Sequence, residues 1–342
     1  MGDGAGGGSR ERAWGVRSRP FGSTGEQVGE LALGTLTFGS ETAETESRRI
    51  MDVFLAAGGS VIDTADTYGD GRSEKIIGRW LHGVPRDSAF LATKGRMPMP
   101  GCTSHGASRR HLAAALDASL ARLDTDYVDL YQVHWPDFET PDDETITVLD
   151  DAVRAGKTRY LGVSNYPAWK LAKNLIRADA LGRARFAAVQ PQYSLALRDI
   201  ETELLPLAAA EGLAVLPYSP LGGGALSGKY TRGEQAPPGT RGERSAFLTR
   251  LDDRSLTIAD YTAQVAARVG RTTPQVALNW LLRQPLVSAP IMGVRTLDQL
   301  ESNLKAADWD LPDDEVAWLE SRSRPYVPYP QRLYPAILGR LP

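Results

Sequence analysis

Residues 89–134 read AFLATKGRMPMPGCTSHGASRRHLAAALDASLARLDTDYVDLYQVH, and the order of patterns within them decides the fold. The run Ala89–Lys94 is short and apolar, with turn residues after it, as expected of a buried strand. A helix follows from near Ser108, carrying Leu112, Leu116, Leu120 and Leu123 on one stripe. Tyr127–His134 then reads as a second strand. Strand, amphipathic helix and strand in succession make the unit of a parallel sheet with right-handed crossovers.

The same rhythm extends in both directions. Further strand-like runs are Leu31–Thr35, Ser60–Asp63, Arg159–Ser164, Phe186–Gln190, Ala214–Tyr218 and Val287–Met292, each followed by helical sequence. The first helix shows Ile50, Val53, Phe54 and Ala57 on one face and stops at Gly58-Gly59. Eight such units in roughly 300 residues match the length of a closed (β/α)₈ TIM barrel. An open doubly wound sheet would carry a Gly-x-Gly-x-x-Gly turn after its first strand, and the stretch after Leu31 has none. The expectation is one α/β barrel over 19–342, with polar residues at the C-terminal strand ends as the functional candidates.

Three segments depart from the rhythm. Residues 1–18 are rich in Gly and Arg with almost nothing to bury, which predicts a loose tail. Residues 229–250 are polar, Gly- and Pro-rich and too long for an ordinary connection, as a lid is. The stretch 321–342 carries Tyr326, Tyr329 and Tyr334 and is expected to pack over the substrate side. The composition, 42% hydrophobic and 24% charged, is that of a globular chain, and a net charge of −3 argues against a nucleic-acid partner. No apolar stretch approaches the ~20 residues of a membrane span, and the N-terminus lacks the apolar core of a secretory signal. The single cysteine, Cys102, suits a reducing, cytoplasmic setting. A monomer without a metal ion is the expectation.

The strand ends offer Asp63, Lys94, His134, Ser164 with Asn165, Gln190 and Tyr218, and the turn after the second strand adds Tyr68. Each alone has an ordinary structural explanation: a helix cap, a solvated charge, a core histidine. Four of them together make a coherent acid. A phenol titrates near ~10, too high for easy proton donation at neutral pH. The Lys94 ammonium beside Tyr68 would favour the phenolate and lower that value, and Asp63 would keep the lysine charged. His134 could hydrogen-bond a substrate oxygen or share the proton. Such a site suits carbonyl reduction by hydride.

These residues resemble the aldo-keto reductases, and the resemblance runs from about Phe21 to the C-terminus. Asp63-Thr-Ala-x-x-Tyr68-Gly69 is similar to the family's aspartate–tyrosine signature, Ala92-Thr-Lys94 to its lysine strand, and Tyr131-Gln-Val-His134 to its histidine strand. The resemblance implies a tetrad of Asp63, Tyr68, Lys94 and His134 with Tyr68 as general acid. It implies NADPH as cofactor and an aldehyde or ketone as small-molecule substrate. Ser164, Asn165 and Gln190 would hold the nicotinamide carboxamide, Tyr218 would stack on its ring, and Gly34, Thr35 and Leu36 would lie near its ribose. The glycine-rich stretch Ser219-Pro-Leu221-Gly-Gly223-Gly224, with Lys229 and Arg241 as cations, would fold over the pyrophosphate. Gly293, Arg295, Gln299 and Asn303 would hold the adenosine end, and Thr296 with Gln299 forms a capping-box pattern that starts a helix there. The position before Asn303, often glutamate in the family, is Ser302.

Arg295, just before that helix, is suited to a 2′-phosphate, which predicts a preference for NADPH over NADH. Phe38, Trp135, Tyr326 and Tyr329 are candidate walls of an apolar substrate pocket. Two alternatives stay open. Potassium-channel β subunits look similar and hold NADPH chiefly as regulatory partners, but they depart at the histidine position. Reduction of enones or keto-sugar nucleotides in secondary metabolism is the other.

Overall fold

The computed structural model describes residues 15–230, 232–238, 243 and 251–338. The chain opens with an antiparallel hairpin, β1 (Ser18–Pro20) and β2 (Gln27–Gly29). Eight parallel strands follow: β3 (Ala32–Gly34), β4 (Val61–Asp63), β5 (Phe90–Gly95), β6 (Val128–Val133), β7 (Thr158–Ser164), β8 (Phe186–Gln190), β9 (Ala214–Val215) and β10 (Ile291–Gly293). Their order is β10-β3-β4-β5-β6-β7-β8-β9, and a parallel bridge between Val215 and Val287 joins the two ends, so the sheet closes as a (β/α)₈ barrel.

Period-two alternation assigns each strand residue to one of two cores. Val61, Phe90, Ala92, Leu130, Ala188, Ala214 and Leu216 point inward and fill the barrel. Their neighbours Ile62, Leu91, Tyr131, Val133, Leu161, Val163, Val189 and Val215 point outward against the helices. The helices on that outer face include α1 (Glu44–Ala56), α2 (Arg72–Leu81), α3 (Arg109–Leu123), α4 (Asp142–Arg154), α5 (Ala168–Ala180) and α6 (Leu204–Glu211). After them come α7 (Asp253–Val269), α8 (Thr273–Leu282), α9 (Leu297–Leu304), α10 (Asp313–Ser323) and the short α11 (Tyr334–Leu338). The leucine stripe of α3 is buried as its spacing predicts, and Ser108 caps that helix through the His111 amide.

The hairpin stops the barrel's N-terminal end. Phe21, fully buried, sits with its ring centroid 4.9 Å from that of Phe90 and 5.6 Å from that of Tyr160. Gly22 turns the chain there at φ +57°, and a Cβ would stand 2.5 Å from the Gly212 carbonyl oxygen, so only glycine fits.

Several sequence expectations need correction. The loose tail does not extend to residue 18: the Val16 amide donates to Ala57 O, and Arg17 and Arg19 donate to the buried carboxylate of Glu30. That internal acid is what orders an arginine-rich segment. The strand expected over Ala214–Tyr218 is regular only at Ala214–Val215, with a single further bridge from Tyr218 to Gln192, and that over Val287–Met292 is regular only from Ile291, with a single bridge from Val287 to Val215; Pro217 and Pro290, which have no N–H to donate, interrupt both. The described part of the C-terminal segment, to residue 338, does not line the site. Arg254 holds the Ser323 and Arg324 carbonyls, Gln331 donates to Glu203, and Tyr326 and Tyr329 are about three-quarters exposed at 75% and 71%. Of the expected lid, 229–230, 232–238 and 243 are described, and Arg232 ties that part to Asp253 and Thr257 on α7.

Candidate active site

The alternation that fills the barrel also aims the site. Asp63, Lys94, His134, Ser164, Gln190 and Tyr218 are each an even number of residues beyond an inward-facing core residue of their strand. All six therefore converge at the C-terminal end of the barrel. Lys94 is fully buried, and its Nζ has three acceptors: Asp63 Oδ1 at 2.5 Å, Thr64 O at 2.9 Å and Tyr68 Oη at 3.2 Å. Burial works against the ammonium charge, but the Asp63 carboxylate and the Tyr68 oxygen outweigh it and hold its pKa above the usual lysine range. The second oxygen of Asp63 accepts from Gln190 Nε2 at 2.8 Å and from Gln132 Nε2 at 3.4 Å.

His134 packs edge-on to Tyr68 with ring centroids 6.0 Å apart. Burial, reinforced by the Lys94 charge, pushes its pKa down to about 3. The imidazole is therefore neutral at neutral pH and available as a hydrogen-bonding group.

A third set of bonds links the remaining strand ends. Tyr218 Oη donates to Asn165 Oδ1 at 2.8 Å, and Asn165 Nδ2 donates to His134 O and to Ser164 Oγ, each at 3.0 Å. Ser164 Oγ donates to Gln190 O at 2.9 Å. Asn165 and Ser219 adopt left-handed backbone at φ +62° and +50°, a conformation that non-glycine residues hold mostly where the surroundings enforce it.

A cavity of about 550 Å³ opens over this floor. Asp63, Tyr68, His134, Ser164, Asn165, Gln190 and Tyr218 line one end of it. Ser219, Leu221, Gly223 and Lys229 form one wall, while Gly293, Arg295, Gln299 and Asn303 form the far end; Gly34, the strand partner of Gly293, and Leu36 also line the cavity. Thr35 is not on the wall: its buried hydroxyl donates to Asp63 O at 2.9 Å and accepts from Ser73. Trp135 lines the cavity, but Phe38 is fully buried in the core, because the loop after β3 folds inward, with the Phe38 amide bonded to Thr35 O. Tyr326 and Tyr329 are absent from its walls. Arg241 lies outside the described residues.

The donors suit a nicotinamide dinucleotide. Gly222, Gly223 and Gly224 run through left-handed backbone at φ +60°, +67° and +112°; the Gly222 and Gly224 amides bond within the turn to Ser219 O and Leu221 O, and Gly223 and Gly224 line the wall. Beside them the Ser227 hydroxyl, a cavity-lining group, is buried without a hydrogen-bond partner among the described residues. Sequence reasoning missed Ser227, Tyr230 and Glu41, which also line the cavity. Glu41 lay within reach of the rule that loops after barrel strands carry function. At the far end, the helix expected after β10 begins as predicted with Thr296 as its cap, but the Gln299 carboxamide oxygen takes the Arg295 amide at 2.9 Å, one residue earlier than a capping box requires. Arg295 pairs not with Asp298 but with Glu41, at 3.0 Å.

A (β/α)₈ barrel with a buried Asp–Lys–Tyr cluster and a cavity at its C-terminal face is the frame of a barrel enzyme. The family model for the aldo/keto reductase family matches residues 30–323, and the chain belongs to that family. Its relatives include an uncharacterized oxidoreductase, YrpG, of Bacillus subtilis, 37% identical over 86% of this chain and 92% of the relative. The norsolorinic acid reductase stcV of Emericella nidulans is 34% identical over 86% of this chain and 78% of its own length. A probable voltage-gated potassium channel subunit beta of Arabidopsis thaliana is 33% identical over 86% and 92%.

Proposed function

We propose that this protein is an oxidoreductase that reduces an aldehyde or ketone to the alcohol, with Tyr68 as general acid. When bound, NADPH supplies the hydride; the chain supplies position, electrostatics and the proton. The observation that carries the reading is the Lys94 ammonium, buried, fixed by three acceptors and 3.2 Å from the Tyr68 oxygen. A cation held there stabilises the phenolate left after proton release, so Tyr68 donates to a developing alkoxide more readily than a free phenol. Asp63 keeps the lysine charged and aimed. His134, neutral, hydrogen-bonds the carbonyl oxygen and orients it toward Tyr68. Ser164, Asn165, Gln190 and Tyr218 would hold the nicotinamide end. Ser219, Leu221, Gly223 and Lys229 would hold the pyrophosphate, and Arg295, Gln299 and Asn303 the adenosine end.

Similarity to the plant channel subunit favours a second reading, a dinucleotide-holding regulatory module. The presence of His134 beside Tyr68 supports the enzyme instead. Adding a nitro-aromatic aldehyde to protein and NADPH decides between them: loss of NADPH absorbance with alcohol formed is expected. Tight NADPH binding without turnover across aldehydes, ketones and quinones would leave the regulatory module.

A further inference from the structure

Arg295 is not offered to a ligand as an isolated cation. Its Nη1 donates to Glu41 Oε2 at 3.0 Å, and both side chains, 29% and 32% exposed, line the cavity. The pairing is fixed by the backbones beneath it. Thr37 Oγ1 donates to Val294 O at 3.0 Å, Thr42 Oγ1 to Arg295 O at 3.3 Å, and the two hydroxyls lie 3.2 Å apart. The loop after β3 is thereby laced to the start of α9, and Glu41 is held in front of Arg295.

The same lacing uses up part of the helix terminus. The Leu297 amide, first of α9, donates to Glu46 Oε1 on α1 at 2.9 Å, and the Gln299 amide is turned to the Thr296 hydroxyl. Two carboxylates of the protein, Glu41 and Glu46, thus stand in the region to which the sequence assigns the 2′-phosphate.

A 2′-phosphate and a 2′-hydroxyl would meet this end differently. The phosphate, carrying nearly two charges, must draw Arg295 away from Glu41 and then lie beside that carboxylate. A ribose hydroxyl is neutral and can donate to Glu41 while the ion pair stays intact. Resting on the dinucleotide reading of the cavity, we propose that Glu41 is a specificity-determining residue that opposes the 2′-phosphate, so that the protein accepts NADH as well as NADPH instead of selecting NADPH strongly.

The test is a set of calorimetric titrations of NADPH and NADH into wild type, Glu41→Gln, Arg295→Met and the double variant. Wild type should bind the two cofactors with Kd values within about tenfold, since one charge-assisted contact is offset by one repulsive one. Glu41→Gln keeps the shape and removes the charge; it should tighten NADPH by at least ~5-fold and leave NADH nearly unchanged or weaker. In the Arg295→Met background that gain should become smaller, because the part that comes from freeing Arg295 is lost while relief of the repulsion remains. The far-UV circular dichroism spectrum and thermal midpoint serve as the folding control for every variant. An unchanged NADPH-to-NADH ratio in Glu41→Gln, equal tightening of both cofactors, or a wild type that already favours NADPH by a hundredfold overturns the role of Glu41 while leaving the dinucleotide site standing. A wild type that binds neither cofactor removes the site itself.

Discussion

The floor of the cavity and its far rim are built by opposite means. On the floor, Asp63, Lys94 and Gln190 are at most 2% exposed and satisfy one another's polar groups directly. On the rim, Glu41 and Arg295 keep about a third of their side chains in water and are joined by an ion pair. A buried network is disrupted by the loss of any member, because the survivors keep the desolvation without the partner. A half-exposed pair exchanges one partner for another at a cost of about 1 kcal/mol or less. Under the proposed function, the difference separates two properties: the floor fixes the chemistry, and the rim chooses the ligand.

The largest effect should come from the floor. Tyr68→Phe should lower kcat by at least ~10²-fold with cofactor Kd nearly unchanged, the scale for losing a positioned acid. Lys94→Met should behave alike. Near-normal turnover in Tyr68→Phe, measured by steady-state kinetics, would end the assignment and with it the contrast.

Next comes a residue just under the floor. Asp66, in the turn that carries Tyr68, is fully buried, and its oxygens find no side-chain partner among the described residues. Burial first, then the nearby Glu74 carboxylate, raise its pKa from 3.8 to about 7, offset in part by the Thr67 amide, Arg122 and Lys94. The folded state therefore holds a proton that the unfolded state releases between those two values. The stabilising effect of that proton is complete below the lower value and lost as pH rises through the upper. Asp66→Asn should raise the urea midpoint at pH 8 by the equivalent of roughly 1–3 kcal/mol, with the gain fading toward pH 4. A gain independent of pH would show that ionisation of Asp66 is not the cause.

On the rim the effects shrink. Arg295→Ala should weaken NADPH binding by about 1 kcal/mol, the low end of a charge-assisted contact, because Glu41 already offsets the cation. NADH should barely respond, and equal losses of both in parallel titrations would mean that Arg295 does not read the 2′-phosphate. Smallest of all, Tyr329→Ala should change stability by no more than about 0.5 kcal/mol and leave KM alone, as at other exposed sites. A KM shift there would bring the C-terminal segment back to the substrate.

The sequence made the floor legible and the rim obscure for the same reason. Asp63, Lys94, His134 and Gln190 owe their placement to the two-residue period of their own strands, a local pattern that any reader of the chain can count. The Glu41–Arg295 pair joins residues 254 apart through loops, and no local period announces it. Phe38 and the C-terminal tyrosines were misread because an aromatic ring near a strand end or in a tail gives no sign of which way its backbone turns. The hairpin that stops the barrel was missed because its two strands have only three residues each, and its anchor, Glu30, is an acid buried against two arginines.

One consequence concerns how the molecule is made. The strand that opens the barrel, β3, has β10 as its neighbour, with Ala32 beside Ile291. Arg19 in the hairpin likewise donates to the carbonyls of Leu282 and Val287. During synthesis those partners emerge late, so one edge of β3 and the guanidinium of Arg19 wait for more than 250 residues of chain between them. Until then the nascent protein carries an open strand edge, the kind of surface that recruits neighbouring chains and chaperones. Closure of this barrel thus waits until residues 282–291 have emerged, and a ribosome paused before residue 287 should hold an open, aggregation-prone sheet.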